Sequence, residues 1–265
     1  MRDSVPSIAA LKRHISRIEG LRQTETSGVV PLGHAGIDAR LGGGLERGRL
    51  HEIFAFEADD ASGAAGFATM ILRRANRGRS SVVWLRQEEA HAVGGALHMP
   101  GLVELGAGAI DLVVGILPDS LSVLRVAADV ARCAEVGLVV IEVWKNPRPL
   151  DLTATRRLAV ATEASGVTAL LLRVGAEQGP SAAATRWAIR ALPALPLEAN
   201  APGFPALDVE LVRQRGGRTG GRWSVEWDRD QAIFREQAHV ATGLPPDAPL
   251  PGLVVPAAAG GTARA

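Results

Sequence analysis

The sequence predicts an α/β fold, with a mainly parallel sheet flanked by helices and an antiparallel β extension at one edge. From residue 50 to about residue 173, short apolar runs alternate with helical patterns, which is typical of βαβ units. The runs are almost continuously apolar, and this favours strands buried on both faces of a parallel sheet. The last third of the chain instead has segments of alternating polarity between glycine- and proline-containing turns, which predict antiparallel strands.

Residues 31–240 are predicted to form the core together with its C-terminal β extension. The buried strands are expected at 50–56, 81–86, 110–114, 138–144 and 167–173. Helical patterns fall between them, at about 64–77, 88–98, 120–135 and 152–165. The strands of the extension, all expected to be antiparallel, are 183–192, 206–213, 222–228 and 232–235.

The two ends of the chain are predicted to lie outside this core. Residues 1–20 form an amphipathic helix in this interpretation, with one apolar face made by Ile8, Leu11, Ile15 and Ile18. A polar linker, 21–30, follows, so the helix docks either on its own domain or on another subunit. Residues 241–265 are rich in Pro, Ala and Gly and predict a flexible tail, with apolar anchors that include Leu250 and Leu253.

Composition excludes several classes of protein. A chain of 265 residues with 47% hydrophobic and 22% charged residues is neither collagen-like nor wholly disordered. A net charge of +1 means that contact with nucleic acid requires a local basic patch. The single cysteine, Cys133, excludes an intramolecular disulfide and lies in a predicted helix, where a small buried residue is expected. The charged N-terminus is neither a signal peptide nor a membrane span, so a cytoplasmic location is expected.

A dense glycine-rich pattern occupies the start of the predicted core. It consists of Gly33, Ile37, Asp38, Leu41, Gly42, Gly43, Gly44, Leu45, Gly48, Glu52 and Ile53. This pattern resembles the entry to the RecA ATPase core, where it precedes the phosphate loop. The resemblance continues through residues 119–142, where Glu142 takes the place of the Walker B acid, and extends to about residue 190. It implies a RecA-like core.

The phosphate loop itself is degenerate. A working loop, G-x-x-x-x-G-K-[ST], cradles phosphates with backbone N–H groups, neutralises them with lysine and binds Mg²⁺ through a hydroxyl. The matching stretch, AFEADDASGAA, has Ala55 for the first glycine, keeps Ser62 and Gly63, and has Ala64 and Ala65 for the lysine and the Ser/Thr. Asp59 and Asp60 add negative charge there. The sequence therefore predicts no ATP hydrolysis and no bound cofactor.

No other catalytic or metal-binding set is present in the sequence. Glu88, Glu89 and Glu142 are interpreted as solvated or hydrogen-bonded remnants, because without bound phosphates a metal has nothing to bridge. The six histidines include no pair at the i, i+4 spacing of a helical metal motif, and no G-x-S-x-G motif occurs. We therefore expect a protein that is not an enzyme and holds no metal.

Several later segments, together with the degenerate loop, resemble the ImuA family of bacterial damage-induced mutagenesis. They are Leu152, Thr153, Thr155, Arg156 and Arg157, then Leu170 to Arg173, Ala183 to Trp187, and RWSVEWD at 222–228. The resemblance implies a non-catalytic part of an SOS-type translesion synthesis complex, or mutasome. The implied partners are an ImuB-like, Y-family-related protein, an error-prone DnaE-type polymerase, and RecA or a second copy of the chain. The terminal apolar residues, Leu11 or Leu250 for example, are the expected partner contacts.

Contact with DNA is the weaker expectation. The counterparts of the RecA DNA-binding loops, Lys145 to Leu150 and Val174 to Ser181, are short, and only the first is basic. A different feature is the loop RQRGGRTGGR, in which glycines alternate with Arg213, Arg215, Arg218 and Arg222. These arginines either contact phosphates without sequence preference or form a solvated turn.

Two other functions are compatible with a RecA-like core. One is a cell-division inhibitor of the SOS response, which shares the ancestry but is usually shorter and lacks so extended a β region. The other is a residual DNA-dependent ATPase, against which Ala64 and Ala65 argue.

Overall fold

The computed structural model describes residues 28–76, 81–217 and 220–237. The predicted N-terminal helix, most of the linker, the tail and Arg218 lie outside these ranges. Within them, no helix is long and apolar enough to cross a membrane.

Six parallel strands form the centre of a nine-stranded sheet. In spatial order they are β8 (Thr185–Leu192), β3 (Leu50–Ala55), β7 (Thr168–Val174), β6 (Val136–Trp144), β4 (Ser81–Gln87) and β5 (Leu112–Leu117). Beyond β8, the antiparallel strands β9 (Ala206–Gln214), β10 (Arg222–Asp228) and β11 (Ile233–Glu236) extend the sheet. A separate antiparallel pair joins β1 (Val29–Val30) to β2 (Leu45–Glu46). The predicted fold class is confirmed.

The predicted direction of one strand is wrong. Residues 183–192 were expected to be antiparallel, but β8 is parallel to β3 and antiparallel only to β9. The alternating polarity of β8 arises because buried Trp187 and Ile189 point to the core, whereas the opposite face carries Arg186 and Arg190. Alternating polarity along a strand shows which of its faces is buried. It does not show the direction of the strand, which here depends on the connection between β7 and β8.

Helices cover both faces of the sheet. The helices are α1 (Ala35–Leu41), α2 (Ala61–Ala75), α3 (Glu88–Gly94), α4 (Met99–Glu104), α5 (Ser120–Val130) and α6 (Leu152–Ser165). The main core lies on the α2 and α3 face and includes the aromatic contacts of Phe67 with Trp187 and Phe234, and of Phe234 with Trp227. A smaller core lies under α5 and α6. Trp187 and Trp227 are fully buried, so they are packing residues.

Three local predictions need correction. The helix expected at 88–98 is divided into α3 and α4, because the chain turns at Gly95 with φ of +74° and the missing Cβ of Gly94 makes room for the Trp144 ring. The helix expected at 120–135 ends at Val130, and tight turns then leave Cys133 exposed and outside the helix, not buried within it. The strand expected at 110–114 runs instead from Leu112 to Leu117.

Burial on both faces is confirmed for β3 and β7 but is wrong for β5. That strand pairs only with β4 in the described part of the chain, so its outer side is free. Val113, Val114 and Ile116 are 54%, 39% and 49% exposed. The apolar run therefore forms an exposed apolar edge of the sheet.

A buried histidine ties β3 to β8 and predicts a pH dependence. His51 Nε2–H donates to the carbonyl of Glu46 (2.8 Å), and its Nδ1 accepts from the Thr185 hydroxyl (2.8 Å). Burial is the main cause that lowers the pKa of His51 to about 4 from its ordinary 6.5. The unfolded chain therefore takes up a proton below about pH 6.5, whereas the folded chain does so only near pH 4.

We expect the free energy of unfolding to fall between pH 6.5 and pH 4 by up to about 3 kcal/mol from this histidine. Urea denaturation at several pH values measures this effect. His51→Gln, which does not titrate, should have a flatter profile in this range. Parallel profiles for the two proteins would contradict the assignment.

Candidate functional site

The carboxyl ends of the parallel strands are where open α/β sheets place their ligands. At this edge, Ala55 ends β3, a short 3-10 turn follows at Ala58–Asp60, and α2 begins at Ala61. Ser62 is exposed and Gly63 is half-buried, but Ala64 is completely buried in the main core. A lysine at position 64 would enter the core, so the alanine at this position serves packing.

The segment 55–65 is bonded to the neighbouring strand. Asp60 does not cap α2 with its side chain; its Oδ1 accepts a hydrogen bond from the backbone N–H of Ala191 in β8 (3.0 Å). A Cβ added to Gly63 would stand 3.4 Å from Leu207 and 3.5 Å from Ala191. The start of α2 therefore lies against β8 and β9, and its aspartate has a structural role.

Glu142, at the Walker B position of β6, is buried and fully engaged. Its Oε2 accepts from Trp84 Nε1 (3.0 Å), and its Oε1 accepts from Trp144 Nε1 (3.0 Å) and Arg86 Nη2 (2.9 Å). Arg86 also donates to the carbonyls of Ala90 and Gly95. One cation neutralises the carboxylate and three donors bond to its oxygens, so the arrangement joins β4, β6 and α3.

The two glutamates that follow β4 have a different environment. Glu88 and Glu89 lie in the first turn of α3 and are exposed. Lys145 Nζ donates to Glu89 (2.9 Å) at the surface, and Lys145 itself has a left-handed backbone with φ of +60°. In residues 28–76, 81–217 and 220–237, no group of three or more His, Cys, Asp or Glu side chains has an arrangement that would hold a metal ion.

A second buried charge cluster, on the face that carries α5 and α6, was not predicted from the sequence. Glu52 in β3 is fully buried and accepts from Arg186 Nε (2.8 Å) and, at 3.5 Å, from Arg173 Nη1. Both guanidinium groups lie over the Phe54 ring, at 5.3 Å for Arg173 and 5.1 Å for Arg186. Arg173 Nη2 also donates to Asn146 Oδ1 (2.6 Å). The sequence signal was the presence of at least one charged residue in each of three mainly apolar strands.

The four arginines proposed for DNA contact are not equivalent. Arg222 opens β10, where its Nε donates to Asp208 Oδ1 (2.7 Å), and this hydrogen bond raises the pKa of Arg222. Arg213, near the end of β9, and Arg215, in the turn after it, are exposed and have no partner among the described residues. Arg218 lies outside the described ranges. Two of the four side chains are therefore free at this surface.

Comparison with solved structures identifies the fold. The chain is similar to the RadB recombinase in its crystal structure, with a TM-score of 0.53 over 79% of this chain and 100% of that chain. The fold is RecA-like. Sequence identity is only 14%, so this likeness concerns the fold alone. No protein-family model and no curated protein matches the chain.

The segment 55–65 and Glu142 can be placed within the RecA-like fold. Both lie at the carboxyl edge of the parallel strands. What the sequence did not predict is that tryptophans and an arginine surround Glu142 and that Asp60 bonds to β8. The groups that would serve a nucleotide therefore hold strands and helices together.

Proposed function

We propose that the chain is a non-catalytic RecA-like accessory protein of an SOS-type translesion synthesis complex. It acts by contacts with an ImuB-like, Y-family-related protein and an error-prone DnaE-type polymerase, with RecA or a second copy as a further contact. The proposal rests above all on Glu142, whose carboxylate is occupied by Arg86 and two tryptophans. A RecA-like fold without a working nucleotide site would function through contacts that its surface makes with partners.

The exposed edge of β5 supports a role in protein contact. Val113, Val114 and Ile116 carry apolar area on both faces of the strand, and β5 contains no charged residue. Natural proteins usually protect such an edge with charges, proline or a covering element. An apolar edge that no described residue covers favours docking of a protein partner.

Co-purification tests the proposal. A tagged chain, expressed in cells that carry the translesion genes, is expected to retain the ImuB-like protein and the polymerase. Ile116→Asp places a charge on the β5 edge and should reduce this retention severalfold. Val160→Asp is the matched control, because Val160 is 66% exposed on α6, on another part of the surface.

One result would contradict the proposal, and another would contradict only the assignment of the contact to β5. One is a tagged chain that retains neither partner while its overexpression produces filamentous cells, which would favour the division inhibitor. The other is equal loss of both partners in Ile116→Asp and Val160→Asp, which would remove the β5 edge from the interaction.

A further inference from the structure

Three arginines lie side by side on the sheet face that carries α5 and α6. Arg186 in β8 is paired in register with Glu52 in β3 on one side and with Arg213 in β9 on the other. Arg173 in β7 is paired with Phe54, one step along the same face. Residues paired across neighbouring strands place their side chains on one face. We call Arg173, Arg186 and Arg213 the arginine row.

The arginine row has too few acidic partners. Glu52 is the one carboxylate bonded to it in the described part of the chain, and Arg173 and Arg186 share that group. Arg213 has no acidic partner among the described residues, although it stands opposite Arg186, a like charge. Three guanidinium charges against one carboxylate leave two positive charges. Like charges in register are unfavourable, and buried ones more so.

Hydrogen-bond donors are left over at the same place. Arg173 Nε and Arg186 Nη2 are buried and have no hydrogen-bond partner within the described residues. Both side chains are more than nine-tenths buried, and burial is the main cause that lowers the pKa of Arg173. Arg213, by contrast, is exposed and gives the arginine row a side open to solvent. Unused donors beside unmatched positive charge favour an anionic acceptor.

We propose that the arginine row binds a phosphate group. Planar guanidinium groups match the oxygens of phosphate in paired hydrogen bonds, and a phosphate has enough oxygens to accept from several arginines. A phosphate with a charge between −1 and −2 also offsets the two unmatched positive charges. The same chemistry serves inorganic phosphate, a nucleotide and the backbone of a nucleic acid. This binding site lies on the α5 and α6 face of the sheet, opposite the α2 face, and it does not rest on the proposed role in translesion synthesis.

Calorimetric titration of the full chain with inorganic phosphate tests the proposal. We expect saturable binding, which Arg213→Ala weakens about tenfold or more by removing a charged donor. Arg190→Ala is the matched control, because it removes the same charge from β8 at an exposed residue that pairs with Asp208 (3.7 Å). The control should bind phosphate within about twofold of the unaltered chain. No saturable binding, or equal loss in both variants, would overturn the proposal.

Competition identifies the source of the phosphate. A short single-stranded oligonucleotide that displaces inorganic phosphate assigns the arginine row to the nucleic-acid backbone. Displacement by a nucleoside monophosphate but not by the oligonucleotide assigns it to a small ligand. Either result supports a phosphate site only if Arg213→Ala also weakens binding of the competitor. A competitor that binds Arg213→Ala as tightly as the unaltered chain contradicts it.

Discussion

Glu52→Gln is expected to lower the free energy of unfolding by about 3–5 kcal/mol, because it leaves Arg173 and Arg186 buried without a counter-charge. Glutamine has nearly the same size as glutamate, so the loss in free energy of unfolding is caused by the missing charge and not by a cavity. Urea denaturation in phosphate-free buffer at pH 7 measures it.

The matched control for this prediction is Glu89→Gln. Glu89 pairs with Lys145 at the surface, with half of its side chain exposed, and such pairs contribute about 1 kcal/mol or less. Phosphate should restore more stability to Glu52→Gln than to the control, since it supplies the missing negative charge. Equal denaturation midpoints for the two variants would show that the cluster around Glu52 contributes little.

Glu142→Gln is expected to have the second large effect, a loss of about 3 kcal/mol or more. It removes the counter-charge of Arg86, and the single amide oxygen cannot serve Trp84, Trp144 and Arg86 as two carboxylate oxygens do. Because two tryptophans contact this carboxylate, their fluorescence is a direct probe of unfolding. In a working nucleotide site this acid would be free to act on a metal, and its replacement would alter activity more than stability.

Glu88→Gln is the control for Glu142→Gln. Glu88 is an exposed residue in the first turn of α3, close to the same edge of the sheet, and its replacement should change stability by less than about 0.5 kcal/mol. A Glu142→Gln variant as stable as the control would mean that the hydrogen bonds from Arg86, Trp84 and Trp144 to Glu142 contribute little to stability.

The fold class was predictable from the sequence because it depends on local patterns. Apolar runs and helical spacing placed β3, β4, β6 and β7 within about two residues of their observed bounds. The predictions that failed depended on contacts between distant residues. The direction of β8 follows from the route of the chain over the sheet, and the exposure of β5 follows from its place at the edge. Neither property is encoded in the periodicity of the strand itself.

The candidate site was predictable only in part, for the same reason. Loss of the lysine and hydroxyl at Ala64 and Ala65 is visible in the sequence, and so is the position of Glu142. The partners of that acid come from β4 and β6, and Arg86 lies 56 residues away from it. Glu52 is 121 and 134 residues from its two arginines. A single sequence shows that such charges are present but not which of them meet.

We propose that this RecA-like chain carries out no nucleotide chemistry at the segment 55–65, and titration with ATP in the presence and absence of Mg²⁺ tests this most directly. We expect no Mg²⁺-dependent binding of ATP and no ATP turnover above background, with or without single-stranded DNA, since Ala64 is a core residue and the Glu142 carboxylate is bonded to Arg86 and two tryptophans. ATP held through the arginine row would be bound with or without Mg²⁺ and would not be turned over. Saturable Mg²⁺-dependent binding, with turnover that Glu142→Gln abolishes while the variant remains folded, would contradict it.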